Sequence, residues 1–285
     1  MGVVSGWRVQ LLKPSAIHDP REFGERVRCL EDHNRPEYLL RCGGELYLML
    51  PAQIIGAANR GALDAASGPT DPYWASVVLL AFNENGADTT TTFTDQSTTA
   101  ATLSTVGNAA WTNANPPTGL TTTGAFDGAG DRVTAPANTA YDLPGDFTVE
   151  GMLRWNTVTT DKAIYGPHTW GGSTAWGIYL TGSSVIHVTL SGSNRSSTFT
   201  PIVNTWYHHA VVRSGTTIKH FIDGVQKGTD VTDAGTASAS VTLAFGSAAG
   251  GNVETHCQLG SIRITKGVAR YTVDFTPPTL PLPTS

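Results

Sequence analysis

Short runs of strand-forming residues recur from Trp74 onward, and turn residues rich in Gly, Pro, Asn and Asp separate them. This pattern favours an antiparallel sandwich over a fold of alternating strands and helices. In the run from Phe147 to Trp155, side chains alternate between two faces, because successive residues of a strand point in opposite directions. One face takes the set Phe147, Val149, Gly151, Leu153 and Trp155. The other face, which carries Thr148, Glu150 and Arg154, is expected to contact solvent or a partner.

Residues 210–225 contain two further strands around a turn at Ser214-Gly215-Thr216. Asp223-Gly224 then opens a second tight turn, since an Asp-Gly pair readily adopts the backbone conformation of a two-residue hairpin. The strands in this segment are therefore predicted to be adjacent and antiparallel.

Composition divides the chain near Gly68-Pro69-Thr70-Asp71-Pro72, a run of turn formers that is typical of a connector. Charged side chains are dense before this run and sparse after it, where Thr, Ser and Gly dominate. We therefore predict an N-terminal segment of residues 1–72 and a sandwich of residues 73–285.

The N-terminal segment offers two or three strands and one short helix. Strand formers occupy residues 8–12 and 45–50, with a turn at Cys42-Gly43-Gly44, and Asp19 with Pro20 begins the helix. So few elements bury too little apolar area for a sturdy core, and small units usually rely on association. We predict that residues 1–72 form an α+β or all-β segment for attachment or assembly.

Charge and hydropathy exclude two classes of partner. The net charge is −5 and there is no basic run, so the footprint of a nucleic-acid-binding protein is missing. No apolar stretch approaches the roughly 18 residues needed to span a bilayer, which argues against membrane insertion. Trp7 and Arg8 interrupt the N-terminus before a signal-peptide core develops, so we expect a soluble protein that no cleaved leader exports.

The cysteines Cys29, Cys42 and Cys257 form an odd set and cannot all pair within one chain. Small buried thiols, a Cys29–Cys42 disulfide and a bond between neighbouring copies remain open. Zinc binding with His18 and His33 is disfavoured, because no closely spaced pair organises four ligands.

Ordered pieces recur along the sandwich: Phe126-Asp127-Gly128, Asp146-Phe147-Thr148-Val149-Glu150-Gly151-Met152, Trp206-Tyr207-His208 and Phe221-Ile222-Asp223-Gly224. Together they resemble the laminin-G-like, concanavalin-type jelly roll over roughly residues 73–281. The tail at residues 260–278 and the run at residues 77–82 resemble the version of this domain that is common in bacteriophage virion proteins.

The resemblance implies an all-β fold, a two-sheet antiparallel jelly-roll sandwich after the small N-terminal segment. It also implies a non-enzymatic virion protein, either a head decoration protein or a tail-fibre or collar protein, assembled in the host cytoplasm. Residues 1–72 would then bind other virion proteins or sister copies in a homo-oligomer, and the jelly roll would adhere to glycans. A tail protein that adsorbs to a glycan receptor is the alternative, followed by a polysaccharide depolymerase.

Two features of the sequence bear on enzymatic activity and cofactors. Glucanases that resemble this fold carry Glu-x-Asp-x-(x)-Glu on one strand, whereas Glu84, Glu150 and Glu254 have no acid two residues away. The acid-rich start of the first strand is reduced to Asn83-Glu84-Asn85, which weakens the case for a metal site. No cofactor is therefore expected, and calcium at Asp127 and Asp131 remains an alternative.

Glycan binding needs aromatic faces and oriented polar groups on loops, and residues 165–177 supply that mixture. Trp170 lies beside two glycines, His168 can form hydrogen bonds, and Trp176 begins a strand whose inward side also holds Ile178 and Leu180. The sequence thus predicts a glycan site at His168, Trp170 and Trp176. Two other tryptophans, Trp155 and Trp206, are predicted to be core residues.

The adjacent histidines His208 and His209 must point to opposite faces of their strand. His208 matches a structural histidine of the family. His209 replaces an apolar residue and is predicted to lie on the outer face or at a strand end.

Overall fold

The computed structural model of the chain describes all atoms of most residues and the backbone alone of five short strands. The full description covers residues 70–158, 162–167, 176–180, 199–237 and 241–285, and the backbone description covers 30–31, 39–42, 45–48, 186–190 and 193–196. The chain divides into two compact units, residues 1–68 and 69–285. Across these described ranges, no helix is long and apolar enough to cross a membrane.

The first unit contains a three-stranded antiparallel sheet of β1 (Leu30–Glu31), β2 (Leu39–Cys42) and β3 (Glu45–Leu48), in that order. Strands β2 and β3 pair so that Cys42 lies opposite Glu45, as expected for a turn at Gly43-Gly44. The predicted strand at residues 8–12, the predicted helix at Asp19 and Cys29 lie outside the described residues. The attachment role of this segment stays a prediction.

The second unit is a sandwich of two antiparallel sheets, which confirms the predicted fold class. Its described strands form a smaller sheet in the order β13 (Ser193–Ser196), β12 (Ile186–Leu190), β11 (Gly177–Leu180), β10 (Lys162–Gly166), β18 (Leu243–Phe245), β8 (Arg132–Ala135) and β5 (Ser104–Val106).

The larger sheet runs β16 (Val225–Gln226), β15 (Thr217–Ile222), β14 (Trp206–Ser214), β9 (Phe147–Trp155), β19 (His256–Lys266), β7 (Thr123–Asp127) and β6 (Ala110–Thr112). Two more strands belong to this sheet. Strand β17 (Val231–Thr232) pairs with β15, and β4 (Val77–Ala81) pairs with β19. Single turns of 3-10 helix occur at Trp74–Ser76 and Thr139–Tyr141.

The apolar core lies between the two sheets and is rich in aromatic rings. The predicted alternation along β9 is confirmed, because Phe147, Val149, Leu153 and Trp155 are all buried in this core. Phe82, just after β4, makes edge-to-face contacts with Phe93, Phe126 and Phe245 at centroid distances of 5.1, 6.0 and 5.1 Å. Such contacts stabilise the core beyond simple burial of area.

The segment after β19, residues 267–285, packs against the outer face of the larger sheet, and we call it the strap. Ala269, Tyr271 and Phe275 of the strap cover a cluster of Ala210, Val212 and Phe221 on β14 and β15. The rings of Tyr271 and Phe275 stack at 3.6 Å, and Phe275 meets Phe221 edge to face at 5.3 Å. The face predicted to contact solvent or a partner is therefore covered here by the chain itself.

The strap also ties the end of the sandwich to its beginning. Leu282 packs against Val77 and Leu80 of β4. Asn83 donates from its side chain to the Leu282 carbonyl at 3.0 Å and accepts from the Leu282 amide at 2.7 Å. The backbone amide of Asp71 donates to the carbonyl of Ser285 at 2.6 Å. The observed division after residue 68 therefore places Asp71 in the sandwich, slightly before the predicted start at residue 73.

Candidate functional site

A buried carboxylate, Glu150, lies at the centre of the outer face of the larger sheet, beneath the strap. Its Oε1 accepts hydrogen bonds from the Nη2 and Nε of Arg263 at 2.7 and 3.0 Å. Its Oε2 accepts from the Tyr271 hydroxyl at 2.9 Å and contacts the Nε2 of His208 at 3.2 Å. A carboxylate with this many donors is held in one orientation.

A second carboxylate, Asp71, completes the charge network. It accepts from Arg263 at 2.9 Å and from two nitrogens of Arg270 at 2.9 and 2.7 Å. Two carboxylates thus face two guanidinium groups, and the charges balance. This balance matters because breaking a buried ion pair leaves an uncompensated charge in a low-dielectric interior.

The network sets the protonation of both acids. Burial alone would raise the pKa of Glu150, but the hydrogen bond from His208 and the charge of Arg263 outweigh it and lower the pKa to about 2. Burial likewise opposes ionisation of Asp71, and the hydrogen bonds from Arg270 and from the Tyr73 amide lower its pKa below the usual value. Burial, together with the charge of Glu150, raises the pKa of Tyr271. Both acids are therefore ionised near neutral pH, and the phenol is protonated.

His208 and His209 do point to opposite faces of β14, as the strand period predicts. His208 lies on the outer face with its Nε2 at Glu150. His209 was expected on the outer face or at a strand end, and this prediction is wrong. Its Nε2 lies 2.6 Å from the Tyr165 hydroxyl in the interior, where burial lowers the pKa of the imidazole. The reason is that odd-numbered residues of β14, such as Tyr207 and Val211, face the core.

An open cleft of about 690 Å³ lies beside His208 on the outer face of the larger sheet. Met152, Trp206 and His208 contribute from the strands, and Asp223 contributes from the turn after β15. One wall is the loop at residues 116–119, and the other is the strap at residues 277–280. The volume falls within the range of small-molecule binding sites.

Trp206 was predicted to be a core residue, and this prediction is wrong. Its side chain is half-buried, and its indole Nε1 donates to the carbonyl of Asn115 at 2.6 Å. One edge of the ring is thus fixed while the ring still lines the cleft. The signal in the sequence was its alternation with His208, which places both on one face of β14. Trp155, the other predicted core tryptophan, is fully buried as expected.

The predicted tight turn at Asp223-Gly224 holds Asp223 at the cleft. Both residues have positive φ, 50° and 78°, as a two-residue hairpin turn of this type requires. The Oδ1 of Asp223 accepts from the His208 amide at 2.9 Å, and the Asp223 amide donates to the His208 carbonyl at 2.8 Å. The Gly224 carbonyl accepts from the Phe275 amide at 2.9 Å, so the same turn also holds the strap.

Of the three residues predicted as a glycan site, the structure describes only Trp176. His168 and Trp170 lie outside the described residues, so their role stays a prediction. Trp176 is only 1% exposed, and its Nε1 donates to the Tyr141 carbonyl at 2.8 Å. Ile178 and Leu180 are buried with it, as the predicted inward alternation requires. This position gives no support to the prediction that Trp176 contacts a ligand.

The acids proposed for calcium, Asp127 and Asp131, act in a turn. The two oxygens of Asp131 accept from the amides of Asn108 and Asp127 at 2.7 and 3.0 Å. Asp127 Oδ1 accepts from the Ala129 amide at 2.8 Å. These hydrogen bonds give both side chains a structural role in the turn. In the part of the chain that the structure describes, no three His, Cys, Asp or Glu side chains cluster in a way that could hold a metal ion.

Of the three cysteines, Cys257 can be assigned. It lies in β19, is buried in the core, and burial raises the pKa of its thiol. Cys42 is described by its backbone alone, so the alternatives for Cys29 and Cys42 stay open.

Comparisons with known proteins agree with this architecture. The family model of the concanavalin A-like lectin/glucanase superfamily named Laminin_G_3 matches residues 127–269, about half of the chain. No curated protein matches the chain significantly.

Among solved structures, the binding domain of botulinum neurotoxin serotype C1 matches with a TM-score of 0.51 and 15% identity, covering 69% of this chain and 50% of that one. The binding domain of botulinum neurotoxin serotype D/C matches with a TM-score of 0.51 and 14% identity over the same shares. The chain thus spans about half the length of these structures, and likeness at this identity concerns the fold. With the family match and the two-sheet sandwich in agreement, the chain belongs to the concanavalin A-like lectin/glucanase superfamily as a laminin-G-like jelly-roll protein.

Proposed function

We propose that the protein is a non-enzymatic, lectin-like component of a bacteriophage particle, and that the cleft beside Trp206 binds a glycan. The observation that carries this proposal is the cleft itself, which combines a half-buried indole with Asp223 and two exposed threonines, Thr118 and Thr279. An aromatic face packs against the C–H surface of a sugar, and nearby polar groups orient its hydroxyls.

The cleft residues are held before any ligand arrives, which favours binding. Trp206 is fixed by its hydrogen bond to the Asn115 carbonyl. Asp223 is fixed because its side chain accepts from the His208 amide and its own amide donates to the His208 carbonyl. Groups that are already ordered lose little entropy on binding, so more of the contact energy contributes to affinity.

The state of Glu150 supports a binding role over a hydrolytic one. A general acid in glycoside hydrolysis needs a raised pKa and access to the glycosidic oxygen. Glu150 has a lowered pKa of about 2 and is 0% exposed. Its two oxygens accept hydrogen bonds from Arg263, Tyr271 and His208. It fits the role of a structural anion under the strap.

The virion context rests on the resemblance of residues 260–278 to domains of phage virion proteins. That run forms the end of β19 and the beginning of the strap, where Arg263, Arg270, Tyr271 and Phe275 close the outer face of the sheet. In this proposal residues 1–72 attach the protein to other virion proteins or to sister copies during assembly in the host cytoplasm. The jelly roll then serves as a head decoration, tail-fibre or collar domain.

A glycan array of the full chain tests the binding part. We expect wild-type protein and the exposed strap variant Val273→Ala to bind the same glycans. Trp206→Ala should lose binding by at least tenfold, whereas Trp206→Phe, which keeps an aromatic face, should retain part of it. Loss on Trp170→Ala instead would move the site to the segment predicted from the sequence, residues 165–177. An array without any binder would leave only a surface-covering role for the sandwich.

Addition of purified protein to particles that lack it tests the virion part. Full chain and a fragment without residues 1–68 are added separately, and bound protein is located by electron microscopy. Full-chain binding at many sites on heads indicates a decoration protein, and binding at the tail or neck indicates adsorption. Binding by neither protein would contradict the virion assignment.

A further inference from the structure

We infer that the cleft selects uncharged, hydroxyl-rich sugars and rejects acidic ones such as sialylated or uronate-containing glycans. This inference rests on the proposed glycan function and concerns the chemistry of the same cleft. It follows from the hydrogen-bond donors, acceptors and charges that line the cleft.

The strongest potential donors at the cleft are already occupied by the protein. Trp206 Nε1 donates to the Asn115 carbonyl. The His208 amide donates to Asp223. Since the carboxylate of Glu150 can only accept, the Nε2 of His208 is the donor in their 3.2 Å contact. None of these three N–H groups remains to bind a ligand anion.

Each wall of the cleft begins with two prolines, which reduces the number of backbone donors that it offers. Pro116 and Pro117 stand on one wall, and Pro277 and Pro278 stand on the other. Proline has a carbonyl but no backbone N–H, so these four residues can offer a ligand only acceptors. The remaining polar side chains of the walls are hydroxyls of threonine, which accept as readily as they donate.

The charge at the cleft is negative. Asp223 is exposed, and its second carboxylate oxygen has no hydrogen bond within the described chain. No lysine or arginine is among the described residues that line the cleft. The guanidinium groups of the buried network, Arg263 and Arg270, form ion pairs with Glu150 and Asp71 beneath the strap.

A ligand that brings its own donors therefore suits this cleft best. The hydroxyls of a neutral sugar can donate to Asp223 and to the wall carbonyls while its C–H face packs on Trp206. A sugar carboxylate would find no Lys or Arg side chain among the described lining residues to replace its lost hydration, and the charge of Asp223 would repel it.

The test compares neutral oligosaccharides with their sialylated and uronate-containing counterparts on one array, with the full-length protein. Asp223→Asn removes the charge but keeps an oxygen for the His208 amide and tolerates the positive φ. This substitution should weaken the binding of neutral glycans about tenfold, because a charge-assisted hydrogen bond from the sugar hydroxyl becomes a neutral one. Thr279→Lys places a cation on the strap wall and should create binding to sialylated glycans, whereas the exposed control Thr232→Lys should not.

The outcomes separate the two proposals. Binding of neutral glycans alone by the wild type, with the expected changes in the variants, supports the inference. Wild-type binding to acidic glycans that equals or exceeds binding to neutral ones overturns the inference and leaves glycan binding intact. A folded protein that binds no glycan overturns the proposed function and this inference with it.

Discussion

The buried acid Glu150 allows a quantitative test of how the strap is held. In Glu150→Gln the charge disappears while the shape is kept, so Arg263 and Arg270 lose one of their two carboxylate partners. Removing one member of a buried ion pair typically costs about 3–5 kcal/mol. The pKa gives an independent figure. A shift from 4.5 to about 2 corresponds to about 3 kcal/mol of stability at neutral pH.

The same shift predicts how the loss varies with pH. Because the folded pKa of Glu150 lies below its unfolded value, its contribution is fully present above about pH 4.5 and declines as the pH falls towards 2. The stability difference between wild type and Glu150→Gln should therefore shrink across this window. Other acids with lowered pKa, such as Asp71, are present in both proteins and largely cancel in the difference.

Urea unfolding at a series of pH values, followed by tryptophan fluorescence, measures this difference. Glu84→Gln is the matched control, since Glu84 is only half-buried and burial raises its pKa. It should cost less than about 1 kcal/mol, as is usual for surface substitutions. A cost below 1 kcal/mol for Glu150→Gln at pH 7, or a difference that stays constant down to pH 2.5, would refute the reasoning.

Two further changes probe the strap and its anchor. Gly224→Ala should cost about 3 kcal/mol or more in thermal or urea unfolding, because its Cβ would overlap the Phe275 carbonyl oxygen and its φ is positive. Gly215→Ala, also at positive φ but with open space around it, should cost only about 1 kcal/mol; equal costs would contradict the role of the strap. A fragment of residues 73–285 lacks Asp71 and should be about 3 kcal/mol less stable than one begun three residues earlier, a difference that denaturation of both would reveal.

Much of the fold could be predicted because the two faces of a strand appear in the sequence as an alternation of apolar and polar residues. The alternation from Phe147 to Trp155 and the turn at Asp223-Gly224 both depend on local rules, and the structure follows them. The pairing of β2 with β3, in which Cys42 lies opposite Glu45, follows the same kind of rule. What a local rule cannot supply is the identity of the layer that covers a given face.

Glu150 and His209 illustrate that gap in opposite directions. A charged residue opposite an apolar face was expected to contact solvent or a partner, yet the strap buries Glu150 from more than 100 positions away along the chain. A histidine in place of an apolar residue was expected outside, yet Tyr165 from the other sheet accommodates His209 in the core. Both outcomes depend on contacts between distant segments, which periodicity does not encode.

The candidate site was missed for a related reason. The sequence pointed to an aromatic, glycine-rich loop, because loops of that composition often bind sugars. The described cleft instead unites Trp206 with the prolines of two segments that lie about 160 residues apart in the chain. Only the folded arrangement gives these prolines a shared surface.

The hydrogen bond between the Asp71 amide and the Ser285 carbonyl means that the backbone enters the sandwich beside the last residue of the strap. A unit whose two ends are adjacent can be inserted into a surface loop of an unrelated protein without distorting either structure. It can likewise be permuted, with its present ends joined by a short linker and new ends opened at a hairpin such as Ser214-Gly215-Thr216. The laminin-G-like unit of this chain therefore has the adjacent ends that insertion and circular permutation require.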